Sequence, residues 1–171
     1  DASRKVIDTG FGEYIFVEET KYKVLTGVAR LTKDGQSVSG DTFSMINLPS
    51  GELLMALSDG MGSGTSAFDD SKNVIELLEQ MSEAGFSQTS AIRLINSLYV
   101  SDQEFENYAT LDISLINLYK GECSFLKNGA VGTYVLNQGK MYCIEGQSLP
   151  MGVVSDAEPY IGKMSLYPGD Y

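Results

Sequence analysis

The chain has 171 residues, 43% of them apolar, with 18 glycines and no histidine or tryptophan, a length and composition that support one domain around one core. Lys and Arg total 12 against 23 Asp and Glu, a formal net charge of −11, which repels a phosphate backbone and argues against nucleic acid as a partner. Without imidazole, Ser-His-Asp and Cys-His catalysis are excluded, and an enzyme this acidic that handles phosphate needs a local cation such as a metal ion.

Residues 1–20 are mixed and glycine-containing and read as a lead-in segment to a domain over 21–171. From Tyr22 the alternation through Val24, Thr26, Val28 and Leu31 predicts a strand, turned by Lys33-Asp34-Gly35. A second extended stretch runs from Thr42 to Leu48, the turn Pro49-Ser50-Gly51-Glu52 follows, and Leu53 to Leu57 reads as a buried strand. Ala67, Ser71, Val74, Ile75, Leu78 and Met81 then recur at helical spacing up to Gly85. Ser87 is placed to cap a second helix with the face Ala91, Leu94, Ile95, Leu98 and Tyr99, which fades into an acidic loop at 101–107. From Tyr108 onward, strands at 109–119, 123–127, 132–136 and 141–144 alternate with short turns and predict an antiparallel meander. Strands, two helices and further hairpinned strands make the fold class α+β rather than alternating βαβ.

Cys123 and Cys143 lie in apolar surroundings with no Cys-x-x-Cys between them and read as reduced core thiols, consistent with a cytoplasmic setting. No apolar run approaches the ~20 residues that span a bilayer, so the segment is expected to be soluble, with no direct membrane contact. It shows no internal repeat and no low-complexity stretch.

The densest chemical signal is Ser58-Asp59-Gly60-Met61-Gly62-Ser63-Gly64, an apolar strand ending in a carboxylate wrapped by glycines. Glycines let main-chain carbonyls or amides approach an ion closely. A lone Asp-Gly is usually only a turn, but three alternating glycines followed at once by a helix are more than a turn needs. Ser39-Gly40-Asp41 is a second strand-end acid upstream, and two such acids without histidine point to hard cations such as Mg²⁺ or Mn²⁺. Gly62 to Ala67 also fits G-x-G-x-x-A, but a second helix follows where a dinucleotide fold needs a parallel strand, and Asp59 would face the pyrophosphate. No Gly-Lys-Ser/Thr makes a Walker loop, Met61 breaks an EF-hand, and neither cysteine has an arginine six residues on to cradle phosphate. Asp112 reads as solvent-facing or paired across a hairpin, and Arg30 as a surface side chain able to meet a phosphate.

Val38-Ser39-Gly40-Asp41, the Asp59 loop and Ala67 together resemble the PPM-type metal-dependent Ser/Thr phosphatases, most closely their stage II sporulation protein E branch. The likeness extends through Thr26-Gly27-Val28-Ala29, Val74-Ile75-Glu76-Leu77, Thr110-Leu111-Asp112, Phe125-Leu126-Lys127 and Ser148-Leu149-Pro150. It implies an α-β-β-α sandwich of two antiparallel sheets flanked by helices. It further implies a two-metal Mn²⁺ or Mg²⁺ site in which Asp59 resembles the bridging ligand, the Gly60 carbonyl a further ligand and Asp41 a ligand to one ion, making Asp41 and Asp59 the catalytic candidates. Many eukaryotic relatives carry a histidine at the place of Met61, so any role it has there does not transfer. The implied activity is hydrolysis of phosphoserine on a phosphorylated anti-anti-sigma factor, controlling a sporulation sigma factor, by a cytoplasmic domain of a membrane-anchored protein. Family members carry another Asp-Gly beyond the segment matching Pro168-Gly169-Asp170-Tyr171 and a later acid, so a fold truncated at its C-terminal end, a weakened metal site and an open sheet edge favouring a homodimer are expected. The alternatives are a non-catalytic interaction module with the same fold and, third, a nucleotide-binding protein.

Overall fold

A computed structural model describes residues 4–8, 10–32, 38–62, 64–101 and 108–171. The predicted turn at 33–35, Ser63 and most of the acidic loop at 101–107 lie outside the described residues. A hairpin of β1 (Arg4–Asp8) and β2 (Tyr14–Glu18) opens the fold, where sequence indicates only a lead-in. The central element is a five-stranded antiparallel sheet ordered β3-β4-β5-β6-β9, built from β3 (Asp41–Asn47), β4 (Glu52–Asp59), β5 (Leu111–Asn117), β6 (Glu122–Asn128) and β9 (Tyr160–Ser165). Between β6 and β9 the chain forms a separate hairpin, β7 (Thr133–Asn137) and β8 (Lys140–Ile144). The predicted meander is therefore split between two sheets, and β9, unread from sequence, closes against β6.

Successive residues of β4 face opposite sides of the sheet, as strand geometry requires, and both sides are apolar. Leu54 and Ala56 join Leu111, Ile113 and Leu126 against Val74, Ile75 and Leu78 of α1 (Thr65–Glu83) and Ala91, Ile92 and Ile95 of α2 (Gln88–Ser101). Leu53 joins Ile116, Cys123 and Phe125 against Val135 of β7, with Ile144 of β8 alongside. The β4 run is thus continuous rather than alternating because it is the middle layer of a sandwich. The fold class is α+β with packed antiparallel sheets, as expected.

Helix α1 stops where sequence places its end. The Gly85 N–H donates to the Ser82 carbonyl and the Phe86 N–H to the Met81 carbonyl, with Gly85 at φ 86°. This is a Schellman cap, which needs a left-handed residue and hence favours glycine. Ser87 accepts the Ser90 N–H at 3.2 Å and caps α2.

Helix α2 is rotated from its predicted face. Ala91, Ile95 and Tyr99 are buried, but so are Ile92 and Asn96, while Leu94 and Leu98 are 45% and 49% exposed. Asn96 turns inward because the loop after Met151 offers it three partners: the Gly152 N–H at 2.9 Å and the Val154 and Ser155 carbonyls at 2.9 and 3.0 Å. A fully bonded buried amide is tolerated where an unpaired one is not.

Two further expectations are corrected. Residues 22–31 form no strand: the Tyr22 N–H donates to the Leu118 carbonyl and Val24 packs on the sheet, but Leu25 and Leu31 are 98% and 90% exposed. Their alternation lacks the ladder partner that a strand needs. Both cysteines are free, yet only Cys123 is a core thiol; Cys143 is exposed beside Glu145.

Lys127 is wholly buried and donates to Asp112 at 2.5 Å, to Thr133 Oγ1 at 2.7 Å and to the Val131 carbonyl at 2.7 Å. Asp112 is its cross-strand partner on β5, so the pair ties the β7 hairpin to the main sheet. Lys127→Ala leaves the Asp112 carboxylate without its counter-charge and is expected to destabilise the fold by about 3–5 kcal/mol, measurable by urea unfolding.

Candidate metal centre

Asp41 is the first residue of β3 and Asp59 the last of β4, and the hairpin register sets them directly opposite each other. The turn between these strands therefore decides the site. Leu48 and Glu52 close it, with the Leu48 N–H donating to the Glu52 carbonyl at 2.8 Å. A one-residue slip would move one acid to the other face of the sheet.

Each acid has its own support. The Ser39 hydroxyl donates to Asp41 Oδ2 at 2.9 Å, and Arg30 donates to the Ser39 and Asp41 carbonyls at 2.8 and 2.6 Å while its guanidinium lies over the Phe68 ring. Asp59 is bracketed by Thr110, the residue just before β5: its N–H donates to Thr110 Oγ1 at 3.1 Å and its carbonyl accepts the Thr110 N–H at 2.9 Å. Burial lifts the Asp59 carboxyl above its ordinary value of 3.8, and the charge of Asp41 and a hydrogen bond with it push the same way.

Gly60 is buried, and its N–H donates to the Gly40 carbonyl at 3.2 Å. A Cβ on Gly60 would run into the Ala67 main chain in the first turn of α1. A Cβ on Gly40 would sit 3.4 Å from the Gly60 carbonyl oxygen and 3.7 Å from Asp59 Oδ1, so both oxygens border one small space. The sequence candidates Asp41, Asp59 and Gly60 are thus brought together.

These donors fit a divalent cation. They are all oxygens, two belong to carboxylates that repel each other, and a cation between them offsets that repulsion. Among the described residues no group of three or more His, Cys, Asp or Glu gathers, and the further oxygen beside the two acids is the Gly60 carbonyl. Arg30 is exposed, as the sequence indicates, whereas Ser39, Ser58 and Thr110 have no separate role legible in the sequence. The only hint of Thr110 was its place in the Thr-Leu-Asp stretch.

Residues 49–171 match the family Stage II sporulation protein E (SpoIIE). The Bacillus subtilis (strain 168) protein of that name is 34% identical over 161 residues, covering 94% of this chain and 20% of its own length. The structure of the PP2C phosphatase domain and a regulatory-domain fragment of SpoIIE from Bacillus subtilis superposes with a TM-score of 0.83 at 32% identity, covering 98% of this chain and 51% of that one. The phosphoserine phosphatase RsbX of Bacillus subtilis (strain 168) is 40% identical over 65 residues, 38% of this chain and 32% of that protein. A structure of RsbX in complex with magnesium superposes with a TM-score of 0.67 at 25% identity over 82% of this chain and 67% of that one. Fold and relatives therefore define a PP2C-like, PPM-type phosphatase domain. Within that class, the chain belongs to the stage II sporulation protein E family, and it spans about a fifth of the length of the Bacillus subtilis member. Among the described residues no helix is long and apolar enough to cross a membrane.

The raised Asp59 value has a definite sign. The folded chain holds this proton more tightly than the unfolded chain, so in metal-free protein the contribution of Asp59 to stability declines as pH climbs above 3.8. Asp59→Asn is expected to abolish that loss, read from urea midpoints of both proteins in chelator between about pH 4 and 7. Gly60→Ala forces α1 away from the loop and is expected to cost about 1–3 kcal/mol in the same measurement.

Proposed function

We propose that this chain is a protein serine phosphatase domain using two divalent cations, Mn²⁺ or Mg²⁺, held in part by Asp41, Asp59 and the Gly60 carbonyl. The observation that carries the reading is the Asp41–Asp59 register pair, a like-charge juxtaposition that a folded chain has little reason to keep unless a cation joins it. When bound, such ions lower the pKa of a water and offset charge on the phosphoryl oxygens.

The residues of the chain supply the rest. Ser39 orients the Asp41 carboxylate, and Thr110, just before β5, holds Asp59 in place. Arg30, pinned to the Ser39 and Asp41 carbonyls, sets a positive charge next to Asp41 in a chain of net charge −11. Gly60 lets the first turn of α1 close over the loop.

The substrate we assign is a phosphoserine protein, a phosphorylated anti-anti-sigma factor, and the setting is cytoplasmic, within a longer membrane-anchored protein that associates as a homodimer. Membership of the sporulation family and the likeness to a phosphoserine phosphatase support this assignment. In the longer protein, Mn²⁺-dependent release of phosphate from a phosphoserine protein is the expected result, falling more than about 100-fold in Asp59→Ala. Undiminished turnover in that variant would remove the metal mechanism, and a longer protein that binds metal and the phosphoprotein without turnover would favour an interaction module.

A further inference from the structure

The ladder between β4 and β5 changes character where it reaches the candidate metal ligands. Up to Leu57 and Asp112 it is regular. At the next hydrogen-bonded position, Asp59 opposite Thr110, an antiparallel pair would exchange two main-chain bonds. Only one is made, from the Thr110 N–H to the Asp59 carbonyl at 2.9 Å. The Asp59 N–H goes instead to the Thr110 hydroxyl at 3.1 Å, and the Thr110 carbonyl left over accepts the Ser58 hydroxyl at 2.8 Å. Main-chain pairing then resumes, with a bridge between Gly60 and Ala109 and the Met61 N–H on the Tyr108 carbonyl at 2.8 Å.

Two hydroxyls therefore stand in for one rung of the sheet at the residue whose carboxylate faces Asp41. Ser58 is fully buried, so its hydroxyl has no solvent alternative. Thr110 is set in turn by the next strand segment, because Ala109 beside it is buried and exchanges hydrogen bonds with Met151 at 2.9 and 3.4 Å. The replaced rung puts a side-chain hydroxyl on the Asp59 N–H immediately before the Gly60 carbonyl, which is where a cation needs both oxygens to converge.

We propose that Thr110 and Ser58 are positioning residues for cation binding. Their hydroxyl exchange fixes the Asp59 main chain through side chains on this edge, so that its carboxylate and the Gly60 carbonyl address the same ion. Neither hydroxyl is itself a ligand in this assignment, which rests on the metal reading given above. Removing the Thr110 hydroxyl lets the Asp59 N–H return to the Thr110 carbonyl, restoring an ordinary rung and misaligning the carboxylate without opening the core.

The test is Mn²⁺ titration by calorimetry of the chain without substrate, with metal-free unfolding midpoints recorded in parallel. Thr110→Val, which keeps the shape, is expected to weaken Mn²⁺ binding about 10- to 100-fold. Thr110→Ser, which keeps the hydroxyl, should stay near wild type, and Ser58→Ala should weaken binding in the same direction as Thr110→Val, all with little movement of the metal-free midpoint. Wild-type affinity in Thr110→Val, or equal losses in Thr110→Val and Thr110→Ser, overturns the assignment. If Thr110→Val does not fold, Ser58→Ala carries the same decision, and unchanged affinity there overturns it. A wild-type chain that binds no Mn²⁺ removes the metal reading and this assignment together, whereas wild-type binding with an unaffected Thr110→Val removes the assignment alone.

Discussion

Two carboxylates face each other across the open end of the β3–β4 hairpin, and much of the fold serves to keep them there. Cross-strand like charges oppose pairing, and at Asp59 burial first and the Asp41 charge second both favour the protonated carboxyl. What maintains the register is the other end of the hairpin and the strand bodies: the turn closed by Leu48 and Glu52, and the apolar residues of β4 committed to both faces of the sheet. Slipping that register would expose Leu54 or Leu53, and apolar burial of ~1.5–3 kcal/mol per large side chain outweighs a partly solvated charge repulsion.

The layers around the sheet divide the work. On one face α1 begins within a few residues of Asp59 and lies so close that Gly60 has no room for a side chain. Its contact with β3 is partly polar: Thr42 meets Ser71 at 2.8 Å and Ser44 bonds Glu79. Behind it α2 grips the loop after Met151 through Asn96, and Met151 grips Ala109, the neighbour of Thr110. A continuous set of hydrogen bonds thus runs from the outer helix to the strand that brackets Asp59. On the other face the buried Lys127–Asp112 pair joins the β7 hairpin to the sheet beside the apolar contacts of Val135 and Ile144.

The site also shows why an acidic chain can handle an anionic substrate. Cations must be gathered locally, and the residues that would gather them are themselves acids that the sheet forces together. Arg30 reaches this end of the sheet from an irregular segment rather than from a strand, held by two main-chain carbonyls and the Phe68 ring. Its side chain is therefore placed by the same loop that places Asp41.

Sequence alone determined the features that depend on neighbours close in the chain. The β3–β4 turn, the glycine-wrapped Asp59, the end of α1 at Gly85 and the Ser87 cap were legible because a turn, a cap or a close approach selects its residue types locally. The pairing of Asp41 with Asp59 and the family pattern were legible for the same reason, since one hairpin links them. Tertiary structure decided whatever depended on a distant partner. Asn96 is inside because a loop more than fifty residues away satisfies it, and Lys127 is buried because Asp112 and Thr133 neutralise and bond it; by composition both belong on the surface. The same limit explains the strand expected at 22–31, where alternation was present but a pairing partner was not. It also explains why Thr110 carried no chemical signal, since its hydroxyl gains meaning only opposite the Asp59 N–H. Local preferences choose elements, but the burial of a polar group is decided by whether the rest of the chain can complete its hydrogen bonds.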